Sequence, residues 1–372
     1  MVQQLVKNIF IATAIIVLCG CSQPEESGLP EPVNKGSQDN QAGVIAAIDR
    51  LIDQFYSGVY GEKEIIEKLR EVIPRPNDFP EYPIEFIVPW GEGSSADNYA
   101  RNLGYDASLI MEQNIFYNNL PGGGGEVGLT YLLKAPPDGY TLYAASVDQS
   151  INEVMGRQSH PFSKNVDFII RSQDAVEAYW VVYDSPFRNM GDALDFAVDN
   201  PGRLKICGDD SSGDGQFKVL SLARELGTEV EYSACDGAAE RMEKLLERET
   251  DLLLESVGVA EDYYKNRAIR PLAYSGNVVF SDIDPNISCI GDLGYSVPSS
   301  RWKGIVTVNG VDKHIIDYLH NCFYAASKLP YYQTYKNEFI NYFYDAYLNP
   351  IDFKTYVFEE VYLLDQLAEE LK

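Results

Sequence analysis

Strand-like and helix-like segments alternate along this chain from residue 82 onward, an order that is compatible with few folds. Short apolar runs such as IEFIVPW and YTLYAAS are followed by longer segments such as SSADNYARNLGYDASLIME. This alternation is typical of a parallel sheet whose strands are connected by crossover helices. A second alternating set follows, and the chain ends in helices that include VDKHIIDYLHNCFYAASK. We therefore predict an α/β fold with two lobes joined by crossing strands.

The order of the two sets predicts which parts of the chain form each lobe. Ligands in folds of this kind bind at the carboxyl ends of the strands, where the two lobes face each other. The predicted layout is a first lobe of residues 81–176 and 303–372, a second lobe of residues 177–302, and hinges near Val176–Tyr179 and Ser300–Lys303.

An extra helical pair is predicted upstream of the lobes, over residues 43–80. Apolar residues recur at helical spacing between Val44 and Phe55. The segment EKEIIEKLREVI follows, with acids in its first turn and prolines just after its end. We interpret the pair as a structural appendage packed outside the main body, and the docking of a partner is the alternative.

The first 20 residues have the layout of a secretory signal. Lys7 precedes an apolar run from Ile9 to Leu18, which is too short to span a bilayer as a stable helix. The run closes in Leu-Cys-Gly-Cys, which resembles the lipobox of bacterial lipoproteins, where the last Cys is lipidated. We therefore predict a signal peptide over 1–20 and lipidation, such as palmitoylation, of Cys21. An ordinary signal or an N-terminal anchor helix is the alternative.

Residues 21–42 are rich in Pro, Gly, Ser and acids, which predicts a flexible tether after the lipidated residue. No later segment is apolar for long enough to cross a membrane, so a lipid anchor alone would hold the protein to it. We expect a monomer on the periplasmic side of the cell envelope, and by analogy with bacterial lipoproteins Ser22, after Cys21, favours the outer membrane. The formal net charge of −26 argues against nucleic acid, because no basic stripe could neutralise phosphates.

Three loops of small residues each follow a predicted strand and precede a predicted helix. Helix N-termini favour anions such as carboxylates, and glycines let the backbone approach a ligand closely. Loops of this kind at corresponding places in two lobes predict a ligand cleft. The loops are Gly91–Asp97, Pro121–Gly125 and Gly208–Gly215.

Motifs for catalysis, cofactors and metals are weak in this chain. Residues 123–128 match the G-x-G-x-x-G dinucleotide pattern, with Asp148 after the next strand, but four consecutive glycines match many patterns. There are only three His, and neither G-x-S-x-G nor H-E-x-x-H occurs. The acids of the third loop lack the spacing of a calcium-binding EF-hand. We therefore predict a protein that is not an enzyme and holds neither a cofactor nor a metal.

Four cysteines remain in the mature chain beyond the lipidated one, and none has the C-x-x-C spacing of a zinc site. An even number in an oxidising compartment permits two bridges, with three pairings. Cys207 and Cys235 each end an apolar strand-like run, so they could bridge if those strands are parallel neighbours. Free buried thiols are the alternative.

Several stretches of this sequence resemble the solute-binding proteins of tripartite tricarboxylate transporters, also called the Bug family. The most specific are YPIEFIVPWGEGSSADNYAR and NNLPGGGGEVGLTYLLKAPPDGYTL, followed by PGRLKICGDDSSGDGQ, TDLLLES, IRPLAYSG and SSRWKGI. The resemblance runs from Tyr82 to the C-terminus. It implies a periplasmic binding protein of the two-lobed, type 2 flytrap kind, which closes on a small carboxylate and delivers it to a membrane permease.

The resemblance also implies which residues surround the ligand. The two loops of the first lobe would form one wall, the end of YTLYAAS the floor, and the second lobe the opposing wall. These ligand-binding residues are Glu92, Gly93, Ser94, Ser95, Asp97, Pro121, Gly122, Gly123 and Gly124, then Ser146 and Asp148, then Ser211, Ser212, Gly213, Gly237 and Glu255.

Two acidic residues depart from the family pattern and bear on the class of ligand. Glu92 stands where the family usually has a small apolar residue, and Glu255 adds a further negative charge. Unpaired carboxylates that line a cleft repel an anionic ligand by about 1 kcal/mol or more each at close range. An uncharged or amine-bearing ligand is therefore an alternative, unless Arg101, Arg301 or Lys303 compensates. A sensory or scaffold lipoprotein of the same fold is the alternative to a transport role.

Overall fold

The computed structural model describes residues 35–209, 214–235, 237–275, 286–295, 301–338, 343–344 and 346–371. Gln41–Lys372 is one compact unit, and residues 1–40 form a separate one. The predicted signal peptide and Cys21 lie outside the described residues. Among the helices that are described, none is both long enough and apolar enough to cross a membrane.

The described chain contains eleven strands, and most of them alternate with helices. The strands are β1 (Ile84–Val88), β2 (Ile115–Asn119), β3 (Thr141–Ser146), β4 (Val166–Ala175), β5 (Glu177–Val182), β6 (Lys205–Gly208), β7 (Glu231–Ala234), β8 (Leu252–Ser256), β9 (Ile269–Tyr274), β10 (Arg301–Val308) and β11 (Phe343–Tyr344).

Thirteen α-helices are described together with two short 3₁₀ turns at Gly123–Gly125 and Gly291–Leu293. The helices are α1 (Lys35–Tyr56), α2 (Glu62–Val72), α3 (Ser95–Met111), α4 (Glu126–Leu132), α5 (Val147–Val154), α6 (Phe162–Asn165), α7 (Met190–Asp199), α8 (Asp214–Glu225), α9 (Ala238–Leu246), α10 (Val257–Lys265), α11 (Lys313–Lys328), α12 (Pro330–Glu338) and α13 (Pro350–Leu371).

The strands form two sheets, one for each alternating set of the sequence. The first has the order β11-β4-β10-β3-β1-β2 and the second the order β7-β6-β8-β5-β9. The parallel pairing predicted from the alternation is present between β1 and its neighbours β2 and β3, and between β6 and its neighbours β7 and β8. The prediction of parallel sheets is wrong for β5 and β10, which run antiparallel to their neighbours. Both are the first strands after a crossing between the sheets.

The first crossing between the two sheets is short. Val176 alone separates β4 of the first sheet from β5 of the second. The return crossing leads into β10, which begins at Arg301, so the boundary expected between residues 302 and 303 falls inside a strand. Ser300, at the predicted second hinge, lies outside the described residues.

The extra helical pair packs against the first lobe. Ile48 of α1 and Leu69 of α2 are fully buried in the same apolar cluster as β1 and α11. Tyr324 of α11 also donates a hydrogen bond to the Asp49 carboxylate at 2.7 Å. Helix α1 begins at Lys35, inside the segment predicted as a tether. The sequence did not reveal this part of the helix, because residues 35–40 carry no apolar side chain and therefore show no helical periodicity.

The two cysteines predicted to bridge are neighbours in the second lobe. They lie at the ends of the parallel strands β6 and β7, as the sequence argument required. In the structure, Cys207 and Cys235 are free, buried thiols whose Sγ atoms are 3.6 Å apart. The disulfide therefore stays a prediction.

Candidate ligand-binding cleft

A cavity of about 540 Å³ is lined by residues of both lobes at the carboxyl ends of their strands. From the first lobe, Trp90 follows β1 and Ser146 ends β3. From the second lobe, Asp209 follows β6 and Glu255 lies at the end of β8. This is the position in which open α/β sheets bind ligands, and the volume is typical of sites for small molecules.

Two helices of the first lobe begin at the cavity. Ser94 is the N-cap of α3, and its hydroxyl accepts a hydrogen bond from the Asp97 N–H at 3.2 Å. Ser146 is the N-cap of α5, and its N–H donates to the Gln149 side chain at 2.7 Å. Both N-caps line the cavity. Helix N-termini carry partial positive charge and backbone donors, so this wall favours an anionic group.

A buried ion pair lies in the wall of the second lobe. Glu255 accepts hydrogen bonds from Arg241 of α9, with Nε at 2.7 Å and Nη2 at 2.6 Å from the same carboxylate oxygen. The other oxygen of Glu255 accepts from the Ser256 N–H at 2.8 Å. Both side chains of the pair line the cavity and are less than 9% exposed. The negative charge of Glu255 is therefore compensated within the protein.

Arg301 connects the two lobes beside the cavity. It begins β10 of the first sheet, and its guanidinium donates to Asp209 at 2.5 Å and to Glu177 of β5 at 3.1 Å. Buried Lys218 of α8 donates to the other oxygen of Glu177 at 2.5 Å. Burial alone would raise the pKa of Asp209, but Arg301 and Lys218 outweigh it and hold that pKa below its usual range. Asp209 is thus an ionised carboxylate whose charge is balanced.

Lys303 places a basic group at the N-terminus of α3. It lies in β10 and lines the cavity, and its ammonium donates to the Ser95 hydroxyl at 2.5 Å. Burial and the nearby charge of Arg301 together lower the pKa of Lys303 to about 7, against a smaller opposing effect of Asp148. The charge of this wall therefore changes within the physiological pH range.

Five of the predicted ligand-binding residues line the cavity, and they come from both lobes. Eight other predicted residues are described but do not line it, and three lie outside the described residues. The first group is Ser94, Ser95, Ser146, Asp148 and Glu255; the second is Glu92, Gly93, Asp97, Pro121, Gly122, Gly123, Gly124 and Gly237; the third is Ser211, Ser212 and Gly213.

Asp97 stabilises the first loop instead of facing the cavity. Its carboxylate accepts hydrogen bonds from the Gly93 N–H at 2.9 Å and from Arg101 at 2.9 Å. It also accepts from the Asn119 amide at 3.0 Å. Glu92 is exposed and lies outside the cavity lining, so its charge does not act at the ligand wall.

The glycines of the second loop make room for α5 and not for a ligand. Gly124 and Gly125 both have positive φ angles, which favour glycine. A Cβ at Gly124 would lie 2.7 Å from the Asn152 amide, and one at Gly125 would lie 2.6 Å from the Gln149 amide. Asn152 also donates to the Gly124 carbonyl at 2.8 Å. The loop therefore fixes the helix whose N-terminus does reach the cavity.

Arg241 was missed as a site residue by the sequence argument. It lies one turn into the helix that follows Gly237, where its backbone N–H donates to the Gly237 carbonyl at 3.0 Å, but no local sequence pattern marks it as a site residue. Other residues that line the cavity and were not predicted include Asn98, Tyr99, Ala175, Ser256, Val259 and Tyr335. Among the described residues, no group of three or more His, Cys, Asp or Glu side chains could hold a metal ion.

Comparison with known proteins gives a consistent result. A family model described as the tripartite tricarboxylate transporter family receptor matches residues 99–361. A curated relative from Cupriavidus necator, described as the UPF0065 protein in the gbd 5′ region, is 26% identical over 255 residues. That alignment covers 68% of this chain and 77% of the relative.

Solved structures share the fold at low sequence identity. A TctC solute binding protein from Polaromonas matches with a TM-score of 0.71 and 17% identity, over 78% of this chain and 99% of that protein. A protein of R. palustris, solved with adipate, matches with a TM-score of 0.65 and 19% identity, over 78% and 98% of the two chains. The expected two-lobed fold of periplasmic binding proteins is confirmed.

Proposed function

Since this chain belongs to the tripartite tricarboxylate transporter receptor family, we propose that it captures a small carboxylate in the cleft between its lobes. The observation that carries the proposal is the cavity of about 540 Å³, which is lined by two helix N-termini together with Arg241, Arg301 and Lys303. The protein would act as a solute-binding receptor and would not transform its ligand.

Of the three described acidic residues that line the cleft, two are paired with arginine, and the third, Asp148, accepts a hydrogen bond from the Ser146 hydroxyl at 2.9 Å. Glu255 is bonded to Arg241 and Asp209 to Arg301, so neither presents an unbalanced charge to the ligand. Lys303 and the N-terminus of α3 lie together on the first lobe, where a carboxylate could receive both an ammonium and backbone donors. The relative of known structure that holds adipate, a dicarboxylate, agrees with this class of ligand.

Calorimetric titration of the purified mature chain tests the class of ligand. Adipate, hexane-1,6-diamine and hexane-1,6-diol have the same carbon skeleton and differ only in their end groups. We expect saturable binding of adipate or a shorter dicarboxylate, and none of the diamine or the diol. Binding of the diamine in preference to every dicarboxylate would overturn the proposal and favour the amine alternative.

We also propose that the chain is a lipoprotein that serves a membrane permease. The support is the Leu-x-Gly-Cys sequence at the end of the apolar N-terminal run, which makes Cys21 the lipidated residue. The mature protein would be a periplasmic monomer held by its lipid, with the outer membrane favoured by Ser22. Cys21→Ser should release the protein from the membrane fraction, whereas the control Cys19→Ser should leave it there. Release by neither variant would exclude lipidation at this site.

Coupling to transport requires a separate experiment. Uptake of the bound dicarboxylate should fall in cells that lack the chain and should return when the chain is restored. Unchanged uptake, with ligand binding intact, would favour the sensory or scaffold role instead.

A further inference from the structure

A second cavity, of about 510 Å³, lies between the extra helical pair and the first lobe. Its described walls come from four helices, α1, α2, α3 and α12, and α1 and α2 precede the segment that the family model matches. It is thus separate in its walls from the ligand cleft, apart from Tyr335, which lines both.

The second cavity contains a buried carboxylate without a partner. Asp106 of α3 is 7% exposed, and within the described chain its Oδ2 atom has no hydrogen-bond partner. An ionised carboxylate loses several kcal/mol on burial unless a cation or hydrogen-bond donors compensate it. Burial raises the pKa of Asp106 to about 6, and the charge of Glu62 on α2 adds to this effect.

The charge of this cavity is negative over its described walls. Its lining includes two carboxyl groups, those of Asp106 and Glu62, and none of the described residues that line it is basic. Arg70 lies close by, since it donates to the carbonyl of the wall residue Leu109. Its guanidinium is already paired with Glu112 at 2.9 Å. The walls therefore attract a cation and repel an anion.

The rest of the wall suits the apolar body of such a ligand. Tyr105 and Tyr331 stack with ring centroids 4.2 Å apart, and each is 47% exposed. Phe55, Ile65 and Leu329 supply further apolar surface. Aromatic faces attract organic cations as well as apolar groups. The combination of an unpartnered carboxylate with aromatic walls is complementary to an ammonium group on a hydrocarbon body.

We propose that this second cavity is a binding site for a small organic ammonium ion, with Asp106 as the group that accepts its N–H donors. Glu62 adds negative charge at the entrance, and the Tyr105–Tyr331 pair contacts the hydrocarbon body. The site is independent of the dicarboxylate proposed for the cleft.

Titration of the full mature chain with butylammonium, and with butan-1-ol as its neutral analogue, tests the site. We expect saturable binding of butylammonium and at least tenfold weaker binding of the alcohol. Asp106→Asn keeps the shape of the side chain and removes its charge, so it should weaken butylammonium binding at least tenfold. Glu62→Gln, at an exposed position, should weaken it by a smaller factor. Near-UV circular dichroism would confirm that both variants are folded.

Glu64→Gln is the matched control, because Glu64 is exposed on the same helix as Glu62 but does not line the cavity. It should bind butylammonium like the unmodified protein. Absence of saturable binding, or binding that Asp106→Asn leaves unchanged, would overturn the proposal. Equal binding of butan-1-ol would show an apolar site that does not select for charge, and would overturn it as well.

Discussion

Arg241 and Glu255 form a buried ion pair whose loss should be costly to the protein. Both are buried, and removal of one partner leaves the other charged group without compensation. We expect Arg241→Met to lower the free energy of unfolding by about 3–5 kcal/mol, measured by urea denaturation. The double variant Arg241→Met, Glu255→Gln should recover most of that loss, because no buried charge then remains unpaired. A loss below about 1 kcal/mol for the single variant would contradict the buried pair.

Lys303 should make ligand binding depend on pH near neutrality. Its pKa is lowered to about 7, and an anionic ligand binds the protonated ammonium form. Affinity for a dicarboxylate should therefore be greatest below pH 7 and should decline as the pH rises above it. Calorimetric titrations between about pH 5.5 and about pH 8.5, a range that covers the titration of a group with a pKa near 7, would measure this decline.

Replacement of Lys303 separates its effect from that of other groups. Burial also raises the pKa of Asp214 to about 7, so a second group of the same region titrates in this range. Lys303→Met should lower affinity for a dicarboxylate roughly tenfold at pH 6 and flatten the pH profile. A profile that keeps its slope in the variant would assign the pH dependence to another group, such as Asp214 or Glu360, whose pKa burial also raises to about 7.

At the scale of single residues, the sequence predicted which residues lie at the cleft better than it predicted which side chains bind one another. Ser94 was predicted from its loop between a strand and a helix, whereas Ser146 and Glu255 were assigned to the cleft by the family resemblance. Arg241 was missed because its role depends on α9 packing beside β8, and no local pattern encodes that adjacency. The glycines at 122–125 met the pattern of a ligand loop, but the space beside them is taken by side chains of α4 at Gly122 and Gly123 and of α5 at Gly124 and Gly125.

Helix α1 should contribute to the stability of the first lobe, because its apolar face continues the core. Ile48 is fully buried against that lobe, whereas Ile45, on the same helix, is only partly buried. We expect Ile48→Ala to lower the free energy of unfolding by about 2–5 kcal/mol, as for other large-to-small core substitutions. Ile45→Ala, the same chemical change, should cost clearly less in the same urea titration. Small and equal losses of unfolding free energy for the two variants would show that the helix lies outside the cooperatively folded core.

At the scale of elements, the sequence predicted the strands well and their directions incompletely. Apolar runs such as IEFIVPW and TDLLLES correspond to β1 and β8. Strand direction is different, because β5 and β10 have the same apolar character whether they run parallel or antiparallel to their neighbours. Their direction depends on where the chain passes from one sheet to the other, which is a property of the tertiary structure.

Across the whole molecule, ligand binding should bring the two lobes closer together. The chain passes from the first lobe to the second through the single residue Val176, so few backbone angles need to change at this crossing for one lobe to rotate relative to the other. We expect saturating dicarboxylate to decrease the radius of gyration measured by small-angle X-ray scattering. The Lys303→Met variant, at a ligand concentration too low to fill its weaker site, should show no change.

An unchanged radius of gyration in the presence of confirmed binding would show that the lobes are already closed without ligand. The two-lobed architecture itself could be predicted from two alternating sets and a helical return. The arrangement of charge between the lobes could not, because Arg301, Glu177 and Asp209 are far apart in sequence and meet only when both sheets are in place.

The pairing of β4 with β10 determines how the two lobes could be exchanged between related proteins. Ala175 and Arg301, which flank the second lobe in sequence, are paired residues on adjacent strands. The second lobe is therefore an insertion in the first, and the two ends of the inserted segment lie side by side. A single pair of junctions should suffice to exchange it for the corresponding lobe of a relative. Such a chimera would keep Ser95 and Lys303 but acquire a new partner wall, so ligand preference could be recombined one lobe at a time.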